Sequence, residues 1–439
     1  MRTFIVVASL CFTTGLRAQV ACGTVRWTQP VAAVESAKLQ ARLSAPRIAV
    51  GAREGFVIAN EQPLSDVDTP TTFALAMWHF TLAAKDIAKP KFVRSAPPPG
   101  NRYHWPEPVV TADGTLHLTW GDDPVVEAGA NPHTTLLSTW RGNFTGLWHA
   151  SYQHGKWSKP ERVARADEII WNSTSHAIPV ATSDGGFVTA APAIARSSNS
   201  STGEILVARW HSGKWSISRV SIHQTMAPAY VTIASQAKTL ILGYITSTEG
   251  DAADENSVFV TRSTNDGMAW SSPILVRRSG AMPAYMPQLL ALRDGSIGFV
   301  WNEGEHGQLD ASILSYTRST DHGLTWSAPI ELIAPKQGDV RPTSDGCSRV
   351  LAVFERGTLP QMVMQTSYMD GGKWSAPATF APDRTSVSPS IASDTNGCAY
   401  AVWNSIARDS LRASGEGVTS PHITYASTCQ SKSHLPNSP

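Results

Sequence analysis

Short runs of strand-forming residues, in which apolar and polar positions alternate, follow one another along most of this chain. In residues 284–333 this pattern predicts four strands, at 287–292, 296–301, 313–318 and 325–332. The pair Asp294-Gly295 separates the first two runs and is typical of a tight hairpin turn. The runs show strand periodicity rather than helical periodicity. The pattern therefore predicts a unit of four antiparallel strands.

The same unit recurs about every fifty residues along the chain. Its clearest marker is a tryptophan that follows a glycine-containing turn, and five of these markers are nearly identical: Trp157, Trp215, Trp270, Trp326 and Trp374. The chain contains seven such units, at about residues 46–94, 104–165, 175–221, 226–278, 284–334, 340–381 and 388–428. This organisation predicts an all-β fold, a seven-bladed β-propeller of four-stranded antiparallel blades. A six-bladed ring is the alternative, because the first unit is degenerate.

The last unit lacks its closing strand, and a matching stretch lies near the other end of the chain. Residues 24–30, Thr-Val-Arg-Trp-Thr-Gln-Pro, contain the tryptophan and the proline of that strand. A ring closed by a strand from the opposite end of the chain leaves no unpaired sheet edge. We therefore expect residues 24–30 to complete the last blade of a single propeller domain that spans residues 19–430.

Composition and the chain ends narrow the class of protein. The 439 residues carry a formal net charge of +1 and only 16% charged side chains, so we expect no nucleic-acid partner. Residues 1–18 resemble a secretory signal, which predicts a secreted or periplasmic protein. A lipid anchor at Cys22 is the alternative. We expect no membrane span, a monomer, and a disordered tail at residues 431–439.

Four cysteines remain after the predicted signal, and an exported chain can form disulfides from them. Cys22 and Cys429 lie near the two ends of the mature chain, which a closed ring brings together, so we predict that they pair. Cys347 and Cys398 follow equivalent turns in neighbouring units. They either form a second disulfide or are two small buried residues.

Polar residues gather in the loops before the first strand and after the second strand of each unit. In a propeller these loops surround one end of the central channel, where ligands bind. The candidates are Tyr285, His104, Trp105, His176, Arg341 and Arg384 before first strands, and Asp122, Asp123, Glu303 and Arg356 after second strands. Rings stack on sugars, arginines bind carboxylates, and paired carboxylates supply acid and base. The set predicts a glycan site, and a solvated rim is the alternative reading.

The chain has no metal-ligand spacing, phosphate-binding glycine loop or nucleophile-elbow motif. We therefore expect neither a cofactor nor a metal ion.

Two turns resemble the Asp-box, the hairpin motif of sialidases and related propellers. Residues 319–326 match the box at every defined position, and residues 263–270 are a near match. The box positions are Ser319, Asp321, Gly323 and Trp326 in the first turn, and Ser263, Gly267 and Trp270 in the second. The chain is therefore similar to the sialidase-like Asp-box (BNR-repeat) superfamily over essentially its mature length. The resemblance implies a propeller, and a structural role for these residues on the rim away from the substrate.

The same resemblance implies particular chemistry. Sialidases use three arginines for the sialate carboxylate, a tyrosine activated by a glutamate, and an aspartate acid/base. By resemblance, Tyr285 and Glu303 would form the nucleophile pair. The remaining roles would fall to Asp122, Asp123 or Asp339 as acid/base, and to Arg341, Arg356 and Arg384 as the arginine clamp.

The chain departs from the family pattern at the start of its first blade. Residues 44–46, Ser-Ala-Pro, stand where sialidases carry their first arginine. The neighbouring Arg47 lies on the wrong side of the pleat to replace it.

Three functions stay open on this basis. The first is a glycoside hydrolase of the exo-sialidase type, and the second is a non-catalytic carbohydrate- or protein-binding propeller, favoured by the missing arginine. The third is a uronate polysaccharide lyase that uses His104 or His176 with a tyrosine and an arginine. The expected partner is a glycan or glycoconjugate.

Overall fold

The computed structural model describes a large part of the chain. The described ranges are 24–35, 41–63, 74–82, 90–95, 103–122, 146–165, 167–169, 177–193, 203–222, 228–246, 256–278, 284–304, 313–333, 337–358, 361–381, 384–406 and 422–429. Within these ranges, no helix is long and apolar enough to cross a membrane. The predictions for residues 1–18 and 431–439, and for Cys22, Asp123 and His176, lie outside them.

The described strands form seven antiparallel sheets, which we call blades 1 to 7. Strand β1 (Val31–Glu35) belongs to blade 7. Blade 1 contains β2 (Ala41–Val50), β3 (Glu54–Pro63), β4 (Ala74–Thr81) and β5 (Val93–Ser95). Blade 2 contains β6 (Tyr103–Val110), β7 (Leu116–Asp122), β8 (Gly146–Gln153), β9 (Lys156–Trp157) and β10 (Glu161–Arg165). Blade 3 contains β11 (Val180–Ala181), β12 (Phe187–Ala193), β13 (Glu204–His211) and β14 (Lys214–Ser221).

The other four blades follow the same order. Blade 4 contains β15 (Tyr230–Gln236), β16 (Thr239–Ile245), β17 (Val258–Ser263) and β18 (Ile274–Arg277). Blade 5 contains β19 (Ala284–Ala291), β20 (Ile297–Glu303), β21 (Ile313–Ser319) and β22 (Ile330–Ile333). Blade 6 contains β23 (Gln337–Ser344), β24 (Val350–Arg356), β25 (Val363–Asp370), β26 (Lys373–Trp374) and β27 (Ala378–Ala381). Blade 7 contains β28 (Thr385–Ser393), β29 (Ala399–Ile406) and β30 (His422–Ser427), with β1 at its outer edge.

The blades form a closed ring. The first strand of each blade contacts the first strand of the next, and β28 of blade 7 contacts β2 of blade 1. The prediction of a seven-bladed propeller is therefore confirmed, and the six-bladed alternative is wrong. We call the end of the ring that carries the turns between first and second strands the turn rim, and the other end the loop rim.

The apolar core is divided among the seven junctions between neighbouring blades. Each buried cluster contains residues of two adjacent blades, and the seven clusters account for all seven junctions of the described ring. Strands β12, β20 and β29 are buried at every position, because both faces of a blade are covered. This explains why the second strands are continuous apolar runs rather than alternating ones.

The repeated tryptophan motif has a structural basis in the residue that follows the tryptophan. The backbone N–H of this serine donates to a carbonyl of the third strand, and its hydroxyl accepts from the N–H of the same third-strand residue. The pairs are Ser158 with Ser151, Ser271 with Arg262, Ser327 with Arg318, and Ser375 with Tyr368. We call this reciprocal two-bond contact the serine clamp. It attaches the outermost part of a blade to the third strand before the fourth strand begins.

Blade 7 is closed by the N-terminal segment through the same contact. The Thr28 N–H donates to the Ser427 carbonyl at 2.7 Å, and the Ser427 N–H donates to the Thr28 hydroxyl at 3.1 Å. Strand β1 then pairs antiparallel with β30. Trp27 stacks on Phe380 of blade 6, with ring centroids 4.7 Å apart. Closure by the N-terminal segment is confirmed.

The paired strand itself lies later in the sequence than predicted. It is β1, Val31–Glu35, rather than residues 24–30. The tryptophan motif forms the clamp, and the fourth strand follows it. The same displacement occurs in blade 5, where Ile330–Ile333 is the fourth strand and residues 325–329 are not.

The disulfide prediction is wrong. Cys429 is bonded to Cys398, with the two Cα atoms 5.4 Å apart, so Cys22 is not its partner. A bridge between Cys347 and Cys398 is excluded for the same reason. The physical cause is strand pairing within blade 7, because the Thr428 N–H donates to the Ala399 carbonyl and sets the two cysteines side by side.

The contact between Thr28 and Ser427 predicts how stability changes when the Thr28 hydroxyl is replaced by a methyl group. In Thr28→Val, the buried Ser427 N–H loses its acceptor, so the free energy of unfolding should fall by about 1–3 kcal/mol. Thr28→Ser keeps the hydroxyl and should unfold within about 0.5 kcal/mol of the wild type. Urea unfolding followed by tryptophan fluorescence measures both. Equal losses in the two variants would contradict a role for the hydroxyl.

Candidate functional site

Polar side chains join the first strands of neighbouring blades around the channel. These strands carry a bulge at a similar level in blades 1, 2, 5, 6 and 7. The joining contacts are Arg47 Nε to Glu107 Oε1 at 2.9 Å, Leu289 N to Thr232 Oγ1 at 2.9 Å, Ile48 N to Ser390 Oγ at 3.2 Å, and Gln288 Nε2 to the Val340 carbonyl at 3.4 Å. The inner wall of the ring is thus held by side chains as well as by apolar packing.

The ion pair of Arg47 and Glu107 is the most buried of these contacts. The two residues are 5% and 3% exposed, and they connect blade 1 with blade 2. A buried charge requires a partner of opposite sign, and each of these residues supplies that partner to the other. Arg47 is therefore engaged between blades, and it does not take the place of the missing first arginine.

Tyr285 and Glu303 lie at the loop rim of blade 5 but on different faces of the sheet. Tyr285 pairs with Asn302, and Glu303 pairs with Ala284. Paired residues in an antiparallel sheet share a face, and successive residues alternate between faces. The side chains of Tyr285 and Glu303 therefore leave the sheet in opposite directions. This register does not support a nucleophile pair.

Glu303 is bound within the junction of blades 4 and 5. Its Oε1 accepts from Trp301 Nε1 at 2.9 Å and from the Ser315 hydroxyl at 3.0 Å. Its Oε2 lies 3.4 Å from Nη2 of Arg277, which also contacts Glu331. The residue is 5% exposed. These contacts are those of a carboxylate that holds neighbouring blades together.

The three arginines of the predicted clamp likewise do not all lie on one face of a sheet. In blade 6, Arg341 pairs with Val353 while Arg356 pairs with Gln337, which places the two side chains on opposite faces. Arg356 donates to Oε1 of Gln365 in the third strand, away from the channel, at 3.2 Å. Arg384 immediately precedes β28 of blade 7. The register does not support a three-arginine clamp, and Arg341 and Arg384 remain at the junction of blades 6 and 7.

The candidates in blade 2 are close in the backbone. Asp122, the last residue of β7, pairs with Tyr103, and His104 pairs with Gly121. Trp105 follows in the bulge of β6. The side chains of His104, Trp105 and Asp122 are outside the described structure, as is that of Asp339 in blade 6. Their roles stay predictions.

The two turns that resemble Asp-boxes lie at the turn rim. Asp321 Oδ1 accepts from Ser319 Oγ and from the N–H groups of Leu324 and Thr325. Asp321 Oδ2 accepts from the Thr325 hydroxyl, and these bonds, led by the hydroxyl, lower the pKa of Asp321 to about 2. In the second turn, Asn265 Oδ1 accepts from Ser263 and Ala269 in the same positions.

The glycines and tryptophans of these turns also make local contacts. The N–H groups of Gly323 and Gly267 donate to Ser319 and Ser263 of their own turns, and the Trp270 indole donates to the Gly267 carbonyl. Trp326 packs edge-on against Phe299 of the same blade. All of these contacts stabilise the turns themselves.

A buried histidine pair lies between blades 2 and 3 and was missed by sequence reasoning. His117 Nδ1 is 3.0 Å from His149 Nε2, and His149 Nδ1 is 2.9 Å from Glu161 Oε1. Trp215 of blade 3 donates to the same Glu161 oxygen. Burial, reinforced by His149, lowers the pKa of His117 to about 3, and burial also lowers the pKa of His149. The contacts join residues far apart in sequence, so spacing could not reveal them.

Comparison with known proteins supports the fold. No family model matches the chain, and no curated protein matches it in sequence. A protein of unknown function from Dyadobacter fermentans is 11% identical, with a TM-score of 0.51 over 92% of this chain and 98% of its own. A PL25 polysaccharide lyase, an ulvan lyase, is 10% identical, with a TM-score of 0.54 over 85% and 93% of the two chains. A variant of the NanB sialidase from Streptococcus pneumoniae is 8% identical, with a TM-score of 0.48 over 92% and 93%. At these identities the similarity shows the fold alone.

The contacts of Glu303 predict a stability effect. Glu303→Ala leaves the buried Trp301 indole and Ser315 hydroxyl without this acceptor, so unfolding should become easier by about 2–4 kcal/mol. Glu331→Ala removes the more exposed carboxylate from the same Arg277 and should change stability by less than about 0.5 kcal/mol. Denaturant unfolding of both variants tests this. A Glu303→Ala protein as stable as Glu331→Ala would contradict the structural role.

The histidine pair predicts a pH dependence of stability. The folded protein holds the pKa of His117 at about 3, below its ordinary value of 6.5, so the unfolded chain binds more protons between these values. The free energy of unfolding should therefore fall as pH drops from 6.5 towards 3, by up to about 1.4 kcal/mol per pH unit for this group. His117→Phe should reduce that slope, as measured by denaturant unfolding at a series of pH values. His154→Asn, in an exposed hairpin of the same blade, should keep the wild-type slope, and an unchanged slope in His117→Phe would refute the assignment.

Proposed function

We propose that this propeller binds a carboxylate-bearing glycan at the loop rim, at the junction of blades 6 and 7. Two arginines belong to this junction. Arg341 in β23 shares a face with Val353, which packs in the core cluster between blades 6 and 7, and Arg384 stands at the beginning of β28. The guanidinium group is the side chain that binds a carboxylate with two parallel hydrogen bonds.

One observation carries the proposal. The Nε of Arg384 is buried and has no hydrogen-bond acceptor among the described residues. A buried donor without an acceptor is destabilising, whereas an anionic ligand supplies the acceptor. A carboxylate seated beside Arg384 accounts for this arginine better than a solvated rim does.

The described geometry supports binding better than hydrolysis of the sialidase type. Glu303 is engaged between blades, Arg356 is bound to Gln365, and Arg47 is paired with Glu107. Two groups to which the sialidase resemblance assigns roles, Glu303 and Arg356, are therefore in structural contacts, and Arg47 cannot replace the missing first arginine. For these reasons we favour glycan binding over exo-sialidase activity.

Uronate elimination is the second candidate, and the similarity to the ulvan lyase favours it. That protein was also solved with a ligand that contains a glucuronate, so its ligand carries a carboxylate. In this chain, His104 beside Gly121 and Asp122 is the candidate base, and Arg384 would neutralise the carboxylate next to the proton that leaves. A lyase of this kind would use the same junction of blades 6 and 7.

Calorimetric titration with a glucuronate-containing oligosaccharide and with sialyllactose tests the binding. At least one should bind, and Arg384→Gln should weaken that binding about tenfold or more, because a charge-assisted contact is lost. The matched control is Arg293→Gln, an exposed arginine at the turn rim. Thermal unfolding checks that both variants fold. Equal affinity in Arg384→Gln and the wild type would refute the site.

Two activity assays separate the catalytic alternatives. A fluorogenic sialoside should not be hydrolysed at acidic or neutral pH, and turnover would restore the sialidase hypothesis. Ultraviolet absorbance from an unsaturated uronate product would establish elimination, and its loss in His104→Ala would assign the base. Binding without either signal would identify a non-catalytic glycan-binding propeller.

A further inference from the structure

A cleft of about 630 Å³ opens at the turn rim between blades 5 and 6. This is the end of the ring opposite the proposed carboxylate site. Its volume lies within the range of about 300–1,000 Å³ that is typical of ligand pockets. The residues that form it come from four turns, two in each blade, and from the strands next to them, so it is a feature of the junction rather than of one loop.

The floor of the cleft is apolar. Tyr316 and Met369, which are 4% and 5% exposed, belong to the core cluster between the two blades, and Ile330 packs against that cluster. Trp326 also contributes to the lining, although its indole packs against the apolar cluster between blades 4 and 5. Such a floor offers carbon surfaces on which the C–H face of a sugar ring can pack.

The charged groups of the cleft are already paired with one another. In blade 5, Arg318 is bonded to Asp294 and donates to Ser296 Oγ at 2.9 Å. In blade 6, Arg349 contacts Asp345 at 2.7 Å and lies 3.6 Å from Asp370.

Each wall thus carries an arginine that is neutralised by a carboxylate on the same wall. A charged ligand would have to compete with one of these ion pairs, whereas a neutral ligand would leave both intact.

Two hydroxyl groups and one exposed carboxylate lie at the mouth of the cleft. Thr320 and Ser348 stand on opposite walls, and Asp370 keeps a side chain that is 58% exposed. Gly371 and Gly372 have φ values of +55° and +81°, and a Cβ built at either would meet nothing within 4 Å. The open turn leaves room for a ligand and keeps backbone groups accessible beside it.

We propose that this cleft binds a neutral oligosaccharide. Hydroxyls of the sugar would bond to Asp370, to Arg318 and to the threonine and serine hydroxyls, since sugar hydroxyls can donate and accept at once. One face of a sugar ring would pack on the apolar floor. The site is separate from the carboxylate site at the loop rim and does not depend on it, so the protein could hold two parts of a branched glycan or two chains.

The chain provides a matched pair of variants for testing this site. Thr320→Trp places an indole in the mouth of the cleft at an exposed position of the turn. Thr264→Trp makes the same change at the equivalent position of the blade 4 turn, where the side chain is equally exposed and outside the cleft. Both side chains lie next to the box serine and take no part in its hydrogen bonds within the turn. Thermal unfolding checks that both variants fold.

Calorimetric titration would use four neutral hexasaccharides as probes, namely maltohexaose, cellohexaose, xylohexaose and mannohexaose. We expect saturable binding of at least one of them, weakened about tenfold or more in Thr320→Trp and unchanged in Thr264→Trp. Absence of binding by all four, or equal binding by the two tryptophan variants, would overturn the proposal. Arg384→Gln should leave this binding unchanged. A loss in Arg384→Gln would show that the neutral sugar occupies the loop rim instead.

Discussion

Each blade of this propeller is a sheet with two apolar faces, so no blade can bury its hydrophobic surface without a neighbour on both sides. The core is accordingly divided among seven junctions, and none of its clusters belongs to a single blade. This requirement favours the closed ring, because an open row of blades would leave two apolar faces exposed to water. The other features of the fold serve to align the blades and to fasten them.

The fastening contacts change with distance from the channel. Near the axis, first strands approach each other and polar side chains join them, as Arg47 and Glu107 do. In the middle of each junction the contacts are apolar. At the outer edge the serine clamp holds the fourth strand, and its hydroxyl satisfies a backbone N–H that the interrupted strand pairing would leave without a partner. Glu303 shows that a carboxylate at the loop rim also serves this purpose.

The sequence allowed the number of blades to be predicted because the tryptophan, the clamp residue and the turn lie close together in the chain. Local contacts of this kind recur with the repeat and are visible as spacing. The disulfide prediction was wrong, and the register does not support the Tyr285–Glu303 pair, for a different reason. Cys429 meets Cys398 through strand pairing, and a shift of one residue in register decides which face Glu303 occupies. Neither the strand pairing of the cysteines nor the register at Glu303 can be read from the spacing of residues along the sequence.

The candidate glycan site could be predicted only as a region. The first strands of neighbouring blades do meet around the channel, but the described polar side chains near their ends make different contacts. Arg356 binds Gln365 and Arg47 binds Glu107, whereas Arg384 keeps a donor without an acceptor among the described residues. The contact of Arg47 with Glu107 joins neighbouring blades and residues 60 positions apart, and that of Arg356 with Gln365 joins two strands of one blade. The cleft at the turn rim escaped prediction because its two walls come from different repeats.

Closure by Thr28 and β1 has a consequence for the order in which the molecule is made. The segment that contains Thr28 leaves the ribosome well before its partner Ser427, which lies 399 residues later. Blade 1 also shares its buried cluster with Tyr400 and Tyr425, so one of its faces stays uncovered until blade 7 has been synthesised. Closing such a long loop has an entropic cost, and apolar surface of blade 1 stays exposed until the contact has formed. We therefore expect the growing chain to be most prone to aggregation before blade 7 has been synthesised.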